Sequence, residues 1–549
     1  MAKRAKPTPA LLPELFEQVG RFIMTSTEMA AFLEALPVEW LSEPLAALLE
    51  LFRAVRSRRL MVPAGDVFHP CHVRLWPYFE LPYEVTDPQL RGWIAKAMVL
   101  SPVVDINGFD LPPSYPLQPR TRINLHAVST WEMLQRAIEL WPERIECIEI
   151  SFGDDVNNQW PAASVGAMRE ALRTLPALRE VAFTSHSNVI NRDPLPLIQA
   201  LAPTSIICAE LIYPHVTWST ATVTAMANWL RTGSLKVVVL EGACMTDADG
   251  TTLCKAIADS STLLDLEIKG GSLPFRFFKD IPALPSQLHS LVLELLVHDD
   301  LPAITSVLSS SQLQLVTLGF ETVSPNPAPA ATLAMIQALG RLRRLRRLEL
   351  TMIELSPACV ASLALLLPQM TNFYLEASGL GDDEIGLLAA VLPRCPSLGY
   401  LHLIDQACTY VGAMALAAAV PLCPPLRKID LRGNRIGSIG AHALSSVLPH
   451  LLECDLSENK IGFDGALAIS RVVPATCHME MLGLQGNPLE KEGLLAIIHA
   501  LEHCVHRDGV IKVSDTLALD EDRQECDEAV DRLPDAAWIT FREDEPFDG

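Results

Sequence analysis

LRKIDLRGNRIGSIGAHALSSVLPH begins at Leu426, LLECDLSENKIGFDGALAISRVVPATCH follows from Leu451, and MEMLGLQGNPLEKEGLLAIIHALEHC runs from Met479 to Cys504. These stretches are three copies of one unit, and their starts are 25 and then 28 residues apart. Each copy has apolar residues at positions 1, 4 and 6, Asn at position 9, and then a second apolar set at helical spacing. Since the apolar period changes from about 2 to about 3.6 within each copy, every unit is predicted to be a short strand joined to a helix.

A strand–helix unit of this kind cannot bury its own apolar face, because each element covers only part of the other. Stacking of neighbouring units makes one continuous core, so the pattern predicts a solenoid with a parallel sheet on its inner face. The Asn at position 9 follows the strand in Asn434, Asn459 and Asn487. We expect its amide to hydrogen-bond backbone groups of its own turn and of the next turn, which are otherwise buried without partners.

This arrangement resembles the leucine-rich-repeat pattern LxxLxLxxN, and the Gly-rich, helix-containing remainder of each unit is similar to the ribonuclease-inhibitor-like type. The resemblance implies an α/β leucine-rich-repeat solenoid (a horseshoe) with a concave parallel sheet and convex helices. Counted back from Leu426, the pattern gives further units that start at Leu398, Met370, Leu345, Leu313, Leu288, Leu263, Leu235, Ile206 and Leu178. Weaker candidates for the first strands are Arg120–Leu125 and Ile145–Ile150.

The earlier units depart from the pattern at position 9, where residues such as Ile353, Ser378 and Gln406 replace Asn. Most of these residues cannot bridge two turns as an amide does, so we expect their turns to be satisfied by backbone or water. The unit from Leu313 also contains VSPNPAPAA at 323–331. Its prolines fit neither a strand nor a helix interior, which predicts a protruding loop before the helix.

Composition limits the classes of protein to which the chain can belong. Its 549 residues include 43 Lys and Arg against 65 Asp and Glu, so the net charge is −22. This acidic composition argues against a nucleic-acid-binding protein with a broadly basic surface. The 13 cysteines are scattered without a CxxC pair, which favours buried thiols in a reducing compartment. No apolar run approaches the roughly 20 residues of a membrane helix. We therefore expect a soluble protein of the cytoplasm, the nucleus or both.

The first 60 residues do not repeat and predict three helices. The first carries LPELFEQVGRFI from Leu12, the second begins near Thr27, and the third lies between Trp40 and Val55. One interpretation is a helical cap on the first repeat. The other is an F-box-like segment, because LPELFEQVGRFI resembles the opening of an F-box, which is Leu-Pro-x-Glu followed by an apolar helix. That resemblance implies binding of a Skp-type adaptor of a cullin ubiquitin ligase through the apolar residues of this opening, namely Leu12, Pro13, Leu15, Phe16 and Phe22.

The chain is thus predicted to comprise a helical segment over 1–60, a Pro- and aromatic-rich connector over 61–119, a repeat solenoid over 120–512 and an acidic cap or tail over 513–549. His69, Cys71 and His72 in the connector are too tightly bunched for a usual zinc site and predict no metal. From Asp515 onward, 13 acidic residues stand against 3 arginines, which is typical of a solvated tail or polar cap.

No catalytic motif is present: GxxxxGK[ST], GxSxG and HExxH are all absent, and we predict neither an enzyme nor a cofactor. Positions 5 and 7 alternate with the buried positions 4 and 6, so they should face outward on the sheet. They form two mainly acidic columns interrupted by aromatic and apolar residues, which favours a protein partner with a basic surface. The predicted partner-binding residues are Glu294, Glu349, Tyr374, Glu376, His402, Ile404, Asp430, Arg432 and Asp455.

Three functions stay open at this stage. The first is a protein-interaction protein that serves as the substrate receptor of a cullin-type ubiquitin ligase, if the F-box resemblance holds. The second is a GTPase activator, because ribonuclease-inhibitor-like repeats with an acidic tail also resemble Ran GTPase-activating proteins; no matching motif supplies a catalytic arginine. The third is a plain scaffold.

Overall fold

The computed structural model describes residues 26–56, 62–64, 67–69, 79–81, 88–101, 103–107, 121–152, 162–185, 193–213, 216–281, 283–308, 312–321, 328–476, 478–504, 509–513, 520–533 and 539–541. The chain forms two compact units, which we call the N-terminal unit (residues 1–256) and the C-terminal unit (residues 257–549).

The N-terminal unit alternates strands with helices. Its strands are β1 (Val62–Ala64), β2 (Val67–His69), β3 (Phe79–Leu81), β4 (Val103–Asn107), β5 (Arg122–Val128), β6 (Ile145–Phe152), β7 (Glu180–Ser185), β8 (Cys208–Ile212) and β9 (Val237–Glu241). Its helices are α1 (Ser26–Glu34), α2 (Glu43–Arg56), α3 (Pro88–Ala97), α4 (Trp131–Leu140), α5 (Ala162–Arg173), α6 (Leu195–Leu201) and α7 (Thr220–Thr232), and the division between the units falls within α8 (Asp247–Asp259). β1 and β2 pair antiparallel, whereas β3 to β9 form a parallel sheet in chain order.

The C-terminal unit continues the same alternation. Its strands are β10 (Asp265–Lys269), β11 (Ser290–Leu296), β12 (Leu315–Phe320), β13 (Arg347–Thr351), β14 (Asn372–Glu376), β15 (Tyr400–Ile404), β16 (Lys428–Asp430), β17 (Glu453–Asp455), β18 (Met481–Gly483), β19 (Val510–Val513) and β20 (Ile539–Phe541). Its helices are α9 (Pro274–Asp280), α10 (Leu301–Leu308), α11 (Pro329–Leu339), α12 (Pro357–Leu366), α13 (Asp382–Ala389), α14 (Tyr410–Ala419), α15 (Gly437–Ser445), α16 (Phe463–Ser470), α17 (Glu490–Leu501) and α18 (Asp520–Val530). Each strand pairs parallel with the next, and each helix packs against the next helix.

The predicted repeat register is confirmed. Strand β13 pairs with β14 so that Leu348 lies opposite Phe373 and Leu350 opposite Leu375. These residues occupy positions 4 and 6 of their units, and all four side chains are at most 1% exposed. Positions 1, 4 and 6 are buried in every unit counted from Leu178 to Met479. The α/β repeat fold with a parallel sheet is therefore established, and its core is the layer between strands and helices.

The bridging role predicted for the repeated Asn is also confirmed. Asn459 is fully buried, and its Nδ2 donates to the carbonyl oxygens of Leu431 at 2.8 Å and Ser457 at 2.9 Å. Its Oδ1 accepts from the backbone N–H of Ile436 at 3.3 Å. Asn434 and Asn487 make equivalent bonds. Each amide thus joins two consecutive turns whose backbone groups are buried away from water.

Gln406 extends this amide series into a unit that lacks Asn. Its Nε2 donates to the carbonyl oxygens of Ile404 at 2.8 Å and Leu375 at 3.2 Å, while its Oε1 accepts from the Leu380 N–H at 2.9 Å. Gln406 is 5% exposed, so these bonds replace lost contacts with water. A glutamine with one more methylene therefore performs the task that the sequence pattern assigns to Asn.

A left-handed backbone at position 8 recurs after most strands. Glycine provides it at Gly242, Gly270, Gly433 and Gly486, where φ lies between 59° and 72°. Five units place another residue there: Leu295, Met352, Ala377, Asp405 and Glu458. A side chain in this region carries a strain of about 1 kcal/mol, since its Cβ approaches the following carbonyl oxygen. This strain occurs in the less regular units and also in the unit from Leu451, whereas the glycine-bearing units avoid it.

Two local expectations change in the structure. Pro329 does not extend a protruding loop but begins helix α11, because the first position of a helix needs no N–H donor. Residues 322–327, the rest of the predicted loop, lie outside the described residues. In the acidic C-terminal segment, residues 520–530 form helix α18 and residues 539–541 form β20, which pairs with β19.

Candidate functional site

The outward face of the C-terminal unit's sheet carries three aligned columns of side chains. Because side chains alternate along a strand, positions 3, 5 and 7 share one face. The strand register places Glu349, Tyr374, His402, Asp430 and Asp455 side by side at position 5. The columns line a groove of about 500 Å³, and its lining residues are Glu267, Lys269, Ser290, Val292, Glu294, Leu315, Thr317, Arg347, Glu349, Asn372, Phe373, Tyr374, Tyr400, His402, Ile404, Asp430 and Arg432.

Most of the predicted partner-binding residues lie in this groove. The lining includes Glu294, Glu349, Tyr374, His402, Ile404, Asp430 and Arg432. Two predicted residues lie beside it. Glu376 accepts a hydrogen bond from the Tyr374 hydroxyl at 2.7 Å, and Asp455 lies next to Asp430 on the adjacent strand. The structure therefore brings the predicted set together on one surface.

The position-3 column is the part of this surface that the sequence analysis missed. It contributes Arg347, Asn372 and Tyr400 to the groove, and Lys428 beside them. The signal was available in the alternation of the strands, since position 3 faces the same way as positions 5 and 7. The prediction of partner-binding residues used positions 5 and 7 alone, so it did not include Arg347, Lys428 and Tyr400.

Aromatic rings form the centre of the groove. The rings of Tyr374 and His402 lie 5.4 Å apart between centroids and are tilted by 48°. The Lys428 Nζ lies 5.1 Å from the centroid of the Tyr400 ring, which is 37% exposed, and it also pairs with Glu453 at 2.6 Å. Packed rings with a polar tip are the side chains that most often contribute strongly to protein recognition.

His402 is neutral at physiological pH. Its side chain is only 7% exposed, because the neighbouring Tyr374 ring covers it. Burial lowers its pKa to about 4, and the nearby charges of Arg347, Lys428 and Arg432 lower it further. The alternation of side chains predicts an outward-facing residue here, and His402 does face the groove, but neighbouring side chains shield it from water.

Acidic side chains dominate the end of the groove at β10 and β11. The Lys269 ammonium lies 2.7 Å from a Glu267 carboxylate oxygen and 3.5 Å from one of Glu294. Further along, Glu349 accepts a hydrogen bond from the Thr317 hydroxyl at 3.2 Å, and the Arg347 guanidinium lies 3.9 Å away. Burial raises the pKa of Glu349, and the carboxylates of Glu294 and Glu376 add to this effect.

A pair of buried carboxylates ends the groove on the opposite side. Asp430 is 0% exposed, its Oδ1 accepts from the Arg432 N–H at 2.9 Å, and its Oδ2 has no hydrogen-bond partner. Burial and the neighbouring Asp455 raise the pKa of Asp430 to about 7. The next strand has Gly483 in register, where a Cβ would lie 2.3 Å from Asp455 Oδ1. A side chain at that position would displace the second carboxylate.

The family comparison bears on the same part of the chain. A family described as Leucine Rich repeat matches residues 422–445 and 447–470, which span β16, α15, β17 and α16. The chain contains leucine-rich repeats. No curated protein matches the sequence significantly. Leucine-rich repeats suggest protein–protein interaction, and the matched residues include Asp430 and Arg432 of the groove lining.

The remaining sequence predictions fall elsewhere. The predicted adaptor-binding residues Leu12, Pro13, Leu15, Phe16 and Phe22 precede the repeats and lie outside the described residues, as do Cys71 and His72. The second and third predicted helices are present as α1 and α2, and α2 packs against α3. Within the described ranges, no cluster of three His, Cys, Asp or Glu could hold a metal ion, and every helix is too short or too polar to span a bilayer.

Proposed function

We propose that this leucine-rich-repeat protein binds a partner protein in the groove of its C-terminal unit. The observation that carries this proposal is the aromatic centre of the groove, where Tyr374 and Tyr400 flank a neutral His402. Rings that are already packed lose little conformational freedom on binding, and charged rims around them give specificity. The acidic end at Glu267 and Glu294 favours a basic surface on the partner. The spacing of the repeats supports the ribonuclease-inhibitor-like type.

A photo-crosslinking amino acid placed at Tyr400 tests the proposal in the cell of origin. Tyr400 is 37% exposed at the groove, whereas Tyr410 is 46% exposed at the start of helix α14 and serves as the matched control. We expect one partner protein to crosslink from position 400 and not from position 410. Equal crosslinking from both positions, or none from position 400, contradicts binding in the groove.

A double substitution measures the contribution of the aromatic centre. Tyr374→Ala with Glu376→Ala removes a ring that contacts His402 and the carboxylate that holds its hydroxyl. We expect the crosslinked partner to bind at least about tenfold more weakly, since aromatic residues at the centre of an interface contribute most. The free energy of unfolding should change by about 1 kcal/mol, because both side chains are only half-buried.

We further propose that the bound partner is presented for ubiquitination through a Skp-type adaptor. The Leu-Pro-Glu-Leu opening at Leu12, which resembles that of an F-box, and the helical segment after it support this hypothesis. The packing of α2 against α3 supports the alternative, a helical cap on the repeats. A pulldown of a Skp-type adaptor with the full chain, compared with a Leu12→Ala/Leu15→Ala/Phe16→Ala variant, separates the two. Absence of adaptor binding by the full chain removes the ligase hypothesis. The described cysteines are free thiols, which supports a place in the reducing cytoplasm or nucleus.

A further inference from the structure

The two ends of the groove differ in charge. At β10 and β11, the carboxylates of Glu267 and Glu294 share the single ammonium of Lys269. Among the described residues, one negative charge therefore stays without a matching cation at this end. Glu349, which is next along the position-5 column after Thr317, has its pKa raised in part by Glu294. The negative field thus extends from β11 to β13.

Three cations lie at the end between β13 and β16, among the carboxylates of Glu349, Glu376, Asp430 and Asp455. Arg347 and Arg432 line the groove, and Lys428 lies over the neighbouring Tyr400 ring. Lys428 is neutralised by Glu453, whereas Arg432 forms no ion pair with any described residue and Arg347 reaches Glu349 only at 3.9 Å. The charges that act on the His402 ring at the centre of this end are these three cations.

Acidic side chains lie beside these cations, but no described carboxylate is within ion-pair distance of the Arg432 guanidinium. Asp430 shares the shielded environment of Asp455, and its pKa of about 7 means that it is protonated for a substantial fraction of molecules near neutral pH. The Glu376 carboxylate accepts a hydrogen bond from the Tyr374 hydroxyl at 2.7 Å. An anion on a bound partner would therefore find the Arg432 guanidinium available, in a half-buried site where charge-assisted hydrogen bonds are strong.

We propose that the groove binds an extended segment of the partner that carries a basic side chain at the Glu267–Glu294 end and an Asp or Glu carboxylate at the Arg347–Arg432 end. This inference rests on the proposed function and specifies the partner's chemistry. The two ends are centred on β11 and β15, which are four strand steps apart. At about 4.8 Å per step the separation is roughly 19 Å, and an extended chain covers it in about six residues.

Selection of random 12-residue peptides displayed on phage tests the inference on the full chain. We expect enriched peptides to contain Lys or Arg and, about six positions away, Asp or Glu. Two conservative variants, Arg432→Gln and Glu294→Gln, are selected in parallel. Arg432→Gln should lose the preference for the acidic residue and keep that for the basic residue, and Glu294→Gln should do the reverse. A general loss of folding cannot produce these opposite effects.

A synthetic copy of the most enriched peptide then gives a quantitative check by calorimetry. Replacement of its acidic residue by the corresponding amide should weaken binding to the wild-type chain about tenfold and leave binding to Arg432→Gln unchanged. The inference is overturned if enriched peptides lack the acidic residue, or if Arg432→Gln still prefers it. Peptides whose binding survives Tyr374→Ala, or no enriched peptides at all, count against groove binding itself and so against the proposed function.

Discussion

The repeats at 426–504 and those at 345–425 share one core and differ in their turns. In both regions positions 1, 4 and 6 are buried, as Leu431 and Leu350 illustrate at 0% exposure. The first region has Asn at every position 9 and joins its turns by buried amides. The second region replaces Asn by Ile353, Ser378 and Gln406.

The less regular region carries the centre of the groove. Its position-8 residues Met352, Ala377 and Asp405 all have left-handed backbones without being glycine, whereas the regular region has Gly433 and Gly486 beside the non-glycine Glu458. The outward positions of the less regular region hold Tyr374 and His402. At the corresponding position 5 of the regular region, Asp455 is buried and Gly483 has no side chain that could contact a partner. Turn regularity stabilises the stack, whereas the varied outward residues provide a surface for recognition. Four measurements test this difference between the two regions.

The largest effect is expected from truncation of the shared core. Leu431→Ala and Leu350→Ala should each lower the free energy of unfolding by about 2–5 kcal/mol, because both remove a fully buried side chain and leave a cavity. Chemical denaturation of the two variants measures this directly. A loss below about 1 kcal/mol for Leu350→Ala alone would mean that the less regular repeats lack the packed core of the regular ones.

Loss of the bridging amides should come next. Asn459→Ala and Gln406→Ala each remove three buried hydrogen bonds, so each should lower the free energy of unfolding by about 2–4 kcal/mol. The exposed Gln337 on helix α11 provides the control, with an expected change near zero for Gln337→Ala. If Gln406→Ala resembles the control, the Gln does not replace the Asn of the regular repeats.

A smaller, pH-dependent effect is expected at the boundary between the regions. The pKa of Asp430 is raised from 3.8 to about 7, so the folded state favours its protonated form and loses stability as the pH rises between these values. Asp430→Asn stays neutral and can still accept from the Arg432 N–H. We expect it to stabilise the protein by about 1–2 kcal/mol at pH 8 and by less at pH 5.

Denaturation curves at the two pH values test this prediction, with Asp531→Asn at an exposed position as the control. A destabilisation by Asp430→Asn at pH 8 would indicate that the carboxylate is charged and satisfied in the fold.

The smallest effect concerns the strained turns. Met352→Gly should stabilise the protein by about 0.5–1 kcal/mol, because relief of the left-handed strain exceeds the added entropy of the unfolded chain. Gly433→Ala should act in the opposite direction, since its Cβ would overlap the Asp405 carboxylate in a backbone with φ of 71°. Thermal melting of both variants provides the measurement. Stabilisation by Gly433→Ala would show that the unit from Leu426 does not need glycine at position 8.

The sequence was most informative where one interaction repeats at every unit. The strand register could be counted back from Leu426 to Leu178, because each unit buries the same three positions and a slip of one residue would expose them. The bridging role of Gln406 could not be predicted in this way, since its equivalence to Asn depends on the path of its own turn. The cations at position 3 were not predicted to lie in the groove either, although the alternation of side chains along the strand places position 3 on the same face as positions 5 and 7.

The strand–helix repeat, the buried positions and the amide bridges can be read from the amino-acid sequence, because they depend on local period and on neighbours at a constant spacing. The character of the groove depends instead on packing between strands. His402 and Asp430 lie at outward positions of the pattern, but side chains from adjacent strands shield them from water. This burial lowers the pKa of His402 and raises the pKa of Asp430, and both shifts favour the uncharged form. Burial of that kind depends on which side chains stand about 5 Å away on the neighbouring strands, and the repeat places such neighbours roughly 25 residues apart in the chain.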